Sequence, residues 1–255
     1  MSGAQGAFAR LAREGGRGAL VTMLTGPAPG AKLLVGADRA TVGSLGSAGL
    51  DAIGVEVAEA AMWSDLPARH GVGDVELFVD VTFPPPRLVV FGAVDVAAAL
   101  CRTARATGWR PFVVDPRSRF AQPARFPDAE AVVAAWPEEA FARLGGIDRA
   151  TAIAVVTHDP KLDDAALLLA LASEAGYIGA MGSRRAQERR RERLLAHGVA
   201  EADLARIAAP IGLDLGGVTA EETALSIMAE VVAVRRGHDG GRLARTGGAI
   251  HEARA

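Results

Sequence analysis

Cysteine is almost absent from this chain: Cys101 is the only one in 255 residues. A single thiol excludes an internal disulfide and any zinc or iron–sulfur site built on several cysteines, and it points to a reducing compartment. Aromatic residues are scarce too, at 5%, so the core must be filled by Ala, Val, Leu and Gly, which suits close packing of helices on a sheet. Charge is nearly balanced, with 28 Lys and Arg against 30 Asp and Glu for a net charge of −2. No whole-molecule field therefore draws the chain to nucleic acid or to an acidic membrane, and any polyanion must meet a local patch. There is no run of about 18 consecutive apolar residues and no apolar stretch behind a basic start. Neither membrane spanning nor secretion is expected, and the expected location is the cytoplasm.

What is present is a core: half of the residues are hydrophobic, enough for one large domain or two ordinary ones. Three consecutive prolines, Pro84 to Pro86, can continue neither a helix nor a central strand, so a domain junction is expected there. The expected division is 1–82, 87–238 and an irregular Gly- and Arg-rich tail over 239–255. Before the prolines, strands are predicted over Ala19 to Thr25, Lys32 to Val35, Ala40 to Leu45 and Val75 to Val81, with a helix over Ala52 to Trp63. After them, strands and helices alternate, the pattern of a parallel sheet with right-handed crossovers. Strands are predicted at 88–92, 111–115, 131–134, 152–157, 177–180 and 207–209. The helices between them include Asp95 to Thr107, Asp163 to Ala175, Arg184 to His197 and Thr219 to Arg235. The fold class expected is α/β, with a smaller α+β domain ahead of the parallel sheet. No internal repeat is present.

Ligands of such sheets bind at the carboxyl ends of the strands, and four turns there carry the candidate residues. The first, Phe91-Gly92-Ala93-Val94-Asp95, leads to a strand ending in Asp115, close to the roughly 20 residues that separate the glycine turn from the ribose-binding acid in dinucleotide sites. Gly92, Asp95 and Asp115 are its candidate contacts. The second glycine of the usual GxGxxG is missing, however, and Val94 puts a β-branched side chain where a pyrophosphate must approach. The second turn gathers Thr157, His158 and Asp159, read as functional. Asp163 and Asp164 behind them are read either as part of the site or as caps of the next helix. His158 and Asp159 invite a metal reading, but no second histidine stands at a suitable spacing and no metal is assigned.

The third turn, Gly182-Ser183-Arg184-Arg185, offers free helix-start donors, a hydroxyl cap and two cations, a cradle for phosphate. Arg189, Arg190, Arg191 and Arg193 further along are expected only to solvate an exposed helix, with Glu188 and Glu192 as partners. In the fourth, Thr219 and Glu222 form a capping box, which leaves Gly212, Asp214 and Gly216 as candidate ligand contacts. Cys101 is expected in the core. No nucleophile and base pair is evident.

The combination of Tyr177-Ile178-Gly179-Ala180-Met181-Gly182-Ser183-Arg184-Arg185, Ala209-Pro210-Ile211-Gly212-Leu213-Asp214-Leu215-Gly216 and Val155-Val156-Thr157-His158-Asp159 resembles the XdhC/CoxI family. The resemblance covers nearly the whole chain, with Ala19 to Ala61 similar to the family's N-terminal domain. It implies a Rossmann-like C-terminal domain and an accessory factor for xanthine dehydrogenase and CO dehydrogenase-type molybdenum hydroxylases. Such a factor binds molybdenum cofactor (molybdopterin), supports its sulfuration and hands it to an apo-enzyme, with a sulfurtransferase as a second partner and a homo-oligomer as the usual state. Two departures stand out. Gly92-Ala93-Val94-Asp95-Val96 replaces the family's GAGHV, and Gly49 stands where the family's GSxSGGCxE motif has its cysteine, so no role can rest on that thiol. Two rival readings stay open: an NAD(P)-dependent oxidoreductase, with Asp115 on the ribose and His158 near the nicotinamide, and a regulatory module that keeps the fold without binding cofactor.

Overall fold

A computed structural model describes residues 3–247. The chain divides into two compact units, Met1–Pro84 and Pro85–Ala255, the boundary falling inside the proline run.

In the first unit, helix α1 (Ala4–Arg13) precedes β1 (Gly18–Thr25), β2 (Lys32–Gly36) and β3 (Thr41–Ser44). Helix α2 (Ala48–Ser64), β4 (Ala68–Val72) and β5 (Val75–Thr82) follow. The strands form one sheet in the order β3-β2-β1-β5-β4, every pair antiparallel. Strand periodicity sends alternate residues to opposite faces. Thus Ala19, Val21 and Met23 of β1 pack with Ala58, Ala61 and Met62 of α2, while Leu20 and Leu34 meet Ala4, Phe8 and Leu11 of α1. The unit is closed by a buried ion pair, Arg17 Nη1 to Asp65 at 2.6 Å, whose guanidinium also donates to the Met62 carbonyl and lies over the Trp63 and Phe83 rings. Helix α1 and strand β4 are additions to the predicted elements. Strand β4 is short, largely exposed and lacks alternation; pairing with β5 through the Gly73 turn decides its state.

The second unit opens with β6 (Arg87–Phe91), α3 (Asp95–Ala106), β7 (Arg110–Val114), β8 (Ala131–Val133) and α4 (Pro137–Arg143). It continues with β9 (Thr151–Val155), α5 (Pro160–Leu171), β10 (Tyr177–Ala180) and α6 (Arg184–Ala196). Helix α7 (Glu201–Leu204), β11 (Ile207–Ala208) and α8 (Ala220–Arg235) complete it. The sheet order is β11-β10-β9-β6-β7-β8, all parallel. Numbered from β6, this is the 3-2-1-4-5-6 order of the doubly wound Rossmann sheet. The strand order reverses between β6 and β9, which makes that pair the topological switch point. Of the predicted tail, the described part carries a single 3₁₀ turn, Leu243–Arg245, and residues 248–255 lie outside the described residues.

Both faces of the parallel sheet are dry, as its continuous apolar strands require. Leu88, Val90 and Ala154 face α3 and α8, and Val89, Phe91, Ile153 and Val155 face α4, α5 and α6. Cys101, fully buried on α3, belongs to the first of these layers, and burial, aided by Asp128, pushes its thiol up to about 12. Phe91 ends the central strand and meets the edge of Phe141 from α4, centroids 5.4 Å apart. Truncating Phe91 to Ala should cost about 3–5 kcal/mol, read as a lower urea midpoint at unchanged m-value; a loss under about 1 kcal/mol would contradict this packing.

Candidate functional site

The turn after β6 is tight for an internal reason. Gly92 has φ +118°, and a Cβ there would stand 3.1 Å from the Thr157 backbone nitrogen, so the close passage of the segment that leaves β9 demands glycine. Its backbone donors are already taken: Ala93 N–H donates to Asp115 Oδ2 at 2.9 Å, and Val94 N–H donates to the Gly92 carbonyl. Asp115 is fully buried and receives Arg117 at both oxygens, Nε at 2.8 Å and Nη2 at 2.7 Å, with Arg117 N–H at 2.9 Å. Burial pushes its carboxyl up, but the Arg117 side chain and the Ala93 and Arg117 amides outweigh this and hold it below the usual carboxylate range. Asp115 therefore has no exposed oxygen for a ribose in this conformation. Asp95 is exposed on the first turn of α3 and pairs with Arg125 at 3.4 Å.

A cleft of about 430 Å³ lies one strand away, at the carboxyl ends of β9 and β10. Thr157, His158, Pro160 and Asp163 line one side, and Met181, Gly182, Ala186, Arg189, Arg190 and Arg193 the other. Thr157 is buried, donates to Asp163 Oδ1 at 3.0 Å and accepts from Asp159 N–H at 2.8 Å. Asp159 caps α5 through Lys161 N–H, with Pro160 at the first helical position, where its missing N–H costs nothing. This cap starts α5 three residues ahead of the predicted Asp163.

Asp163 and Asp164 are consequently inside α5 rather than at its cap, and each is answered by an arginine of α6. Arg190 Nη2 donates to Asp163 Oδ2 at 2.8 Å, both side chains being about 5% exposed, and to the Met181 carbonyl at 2.9 Å. Arg193 grips Asp164 in two-point fashion at 2.6 and 2.9 Å. These contacts correct the expectation that Arg190 and Arg193 only solvate a surface. The signal was in the spacing: Ala186, Arg189 or Arg190, and Arg193 form one helical stripe facing α5. Gln187, bonded to Arg190, extends the network to the Ala180 and Gly182 carbonyls. Burial pushes the Asp163 carboxyl up against the pull of Arg190, Asp164 adding to the rise.

At the start of α6, Ser183 caps Ala186 N–H at 3.3 Å, and Gly182 sits at φ +140°. Arg184 and Arg185 are exposed and fall outside the cleft lining. The cation that does line the cleft without a carboxylate partner among the described residues is Arg189. In the fourth turn, Gly212 has φ +101° and packs so closely on α8 that a Cβ would meet Ser226 Oγ at 2.5 Å. Its N–H donates to Glu230 at 2.8 Å, which also accepts the Tyr177 hydroxyl. Asp214 and Gly216 are exposed, and Asp214 lines a separate hollow with Leu213, Asp239 and Arg242. The structure thus gathers Thr157, His158 and Gly182 into one cleft, flanked by the caps Asp159 and Ser183, and leaves Gly92, Asp95, Asp115, Arg184, Arg185, Gly212, Asp214 and Gly216 off its lining. No group of three or more His, Cys, Asp or Glu suited to a metal ion occurs among the described residues, and no helix there is long and apolar enough to cross a membrane.

Comparison with known proteins decides the family. The XdhC Rossmann domain matches residues 88–231. The chain belongs to the XdhC family. This XdhC-family chain is 28% identical over 230 residues to the uncharacterized protein YqeB of Escherichia coli K12, covering 84% of the chain and 42% of YqeB. It is 28% identical over 173 residues to a Bacillus subtilis protein whose name makes it a probable xanthine dehydrogenase component, covering 68% and 50%. It is 29% identical over 152 residues to the molybdenum cofactor insertion chaperone PaoD of E. coli K12, covering 60% and 41%. The chain therefore spans half or less of the length of these curated relatives. A crystal structure described as a xanthine dehydrogenase from Bacillus halodurans shares its fold, with TM-score 0.63 at 22% identity over 91% of this chain and 66% of that one.

Two measurements check this geometry. Removing the buried cation alone, Arg190→Met, should cost about 3–5 kcal/mol because Asp163 is left unanswered, whereas Arg190→Met with Asp163→Leu should recover most of the loss; equal losses in both variants would contradict the pairing. For Asp115 the folded-state value lies below the unfolded one, so its contribution is full above about pH 4 and is lost as pH falls through the folded value. Asp115→Asn should then be about 1.5–3 kcal/mol less stable than the parent at pH 7, with the gap narrowing as pH falls into the acid range; a gap that does not change with pH would contradict the assignment.

Proposed function

We propose that this chain is an accessory factor that binds molybdenum cofactor in the cleft between the ends of β9 and β10 and passes it to an apo molybdenum hydroxylase of the xanthine dehydrogenase type. The observation that carries this reading is Arg189: a cation at the rim of a cleft of about 430 Å³, unclaimed by any described carboxylate, beside the capped start of α6. A phosphate-bearing pterin needs an anion site and a wall of apolar and hydrogen-bonding groups. Here Arg189 and the α6 start would take the phosphate, while Pro160 and Met181 supply apolar surface and His158 an adjustable polar group. The volume suits a small molecule. The names of PaoD and of the B. subtilis relative support cofactor insertion as the task.

Sulfuration falls to a partner sulfurtransferase in this reading. The only thiol in the chain, Cys101, is fully buried and held protonated, and sulfur transfer requires an accessible thiolate. Hydride transfer from NAD(P) fits the residues poorly, since Asp115 is occupied by Arg117 and the Ala93 amide is spent on Asp115.

The test is titration of the purified chain with molybdopterin cofactor, followed by pterin fluorescence. Arg189→Ala should weaken binding about tenfold or more, the worth of one charge-assisted bond, at unchanged melting temperature. Arg184→Ala should change it little, being outside the lining. Equal affinity for parent and Arg189→Ala would overturn the site.

A further inference from the structure

We infer that the hollow beside the loop that leaves β11 is a second ligand site, separate from the β9–β10 cleft, and that it takes a guanine nucleotide. The inference does not depend on the cofactor reading. Asp214, expected from the sequence to contact a ligand, does line a cavity, although not the cleft: it shares a hollow of about 580 Å³ with Leu213, Leu215, Asp239, Arg242 and Arg245. Two segments build that hollow. The first leaves the carboxyl end of β11, the end of a parallel sheet where ligands bind. It is tied to α8 by Leu213 N–H, which donates to the Ser226 carbonyl at 3.2 Å, and by the Ser226 hydroxyl, which donates to the Leu213 carbonyl. The second follows α8, where Gly240, at φ +77°, packs on the Leu213 side chain. The 3₁₀ turn Leu243–Arg245 comes next, closed by Arg245 N–H on the Arg242 carbonyl at 2.8 Å.

The signal is charge left unpaired around one volume. Two carboxylates and two guanidinium groups line the hollow, yet no ion pair joins them. Asp239 is partly committed, its Oδ1 accepting Gly241 N–H at 3.0 Å. The Asp214, Arg242 and Arg245 side chains have no ion-pair or hydrogen-bond partner among the described residues. Each of these groups narrows the guest. Arg242 and Arg245 stand three apart across a 3₁₀ turn, where such side chains overlie one another. Two cations on one side suit a diphosphate better than a single carboxylate. Asp214 offers two acceptors and no donor, so the edge that answers it carries two adjacent donors. Among the common bases only guanine has that edge, a ring N–H beside an exocyclic amino group; adenine and cytosine have the amino group alone, and uracil the ring N–H alone. Leu213 and Leu215 give the ring an apolar surface, and the volume is that of a small-molecule site.

Calorimetric titration of the purified full chain with GDP, ADP, CDP and UDP at one ionic strength tests this. GDP should bind about tenfold tighter or more than the other three, the worth of the second hydrogen bond to a carboxylate. Arg242→Ala and Arg245→Ala should each weaken GDP binding about tenfold and flatten its salt dependence. Asp214→Asn should change the preference itself. An amide sets one donor beside one acceptor, the match for xanthosine diphosphate, whose 2-oxo group replaces the 2-amino group of GDP. The variant should therefore prefer xanthosine diphosphate to GDP, at unchanged melting temperature. Asp214 lies off the lining of the β9–β10 cleft, so the same variant should bind molybdopterin as the parent does, and the two sites fail separately. The pterin ring carries the same two-donor edge; displacement of GDP from the parent by molybdopterin would give the hollow to the pterin and overturn the proposal. A parent that leaves roughly millimolar GDP unbound, equal affinity for the four nucleotides, or GDP binding untouched by Asp214→Asn would overturn it as well.

Discussion

A carboxylate buried beneath the ends of two parallel strands has to be answered on every side, and in this chain Asp163 is answered by Arg190 at 2.8 Å and Thr157 at 3.0 Å. Thr157 belongs to the loop that leaves β9's dry end, and Arg190 reaches back from α6 to the Met181 carbonyl at the end of β10. One buried pair therefore ties together both strand ends and both helices that wall the cleft. Its net worth to stability is small, since desolvating two charges cancels much of their attraction. Its worth to geometry is clear: it fixes where the α6 face stands, and so where Arg189 is presented.

The same economy explains the first turn. In a dinucleotide-binding sheet, the glycine turn and the acid of the next strand are kept free for the ligand. Here Ala93, Asp115 and Arg117 satisfy one another, and Gly92 is required by the passage of Thr157. The Rossmann framework is retained while its usual ligand contacts are turned inward. The charged cleft lies instead on the neighbouring strand pair, where Arg189 is left over after the other arginines of that face have found carboxylates.

Much of this was legible in the sequence, and the parts that were not share a cause. The parallel strands announce themselves as apolar runs, and the capping box Thr219 with Glu222 holds as read. Strand β4 escapes because it is polar and short, its state being set by the partner strand. Arg190 and Arg193 depart from the surface reading because charge alone says "surface"; only the register of α6 against α5 separates Arg190, which is buried, from Arg189 and Arg191, which are exposed as expected. Likewise Asp115 reads as a ligand residue from its position, and only three-dimensional contact shows that Arg117, two residues on, has claimed it. Periodicity recovers faces; it does not recover which charges face each other across two elements.

The central claim is that the cleft at β9 and β10 carries molybdenum cofactor. The most direct measurement is molybdenum and pterin content of the chain purified from a host that makes the cofactor, alongside titration with NAD and NADP. The account predicts pterin approaching one per chain and no dinucleotide binding. Tight NAD or NADP binding without pterin would contradict it.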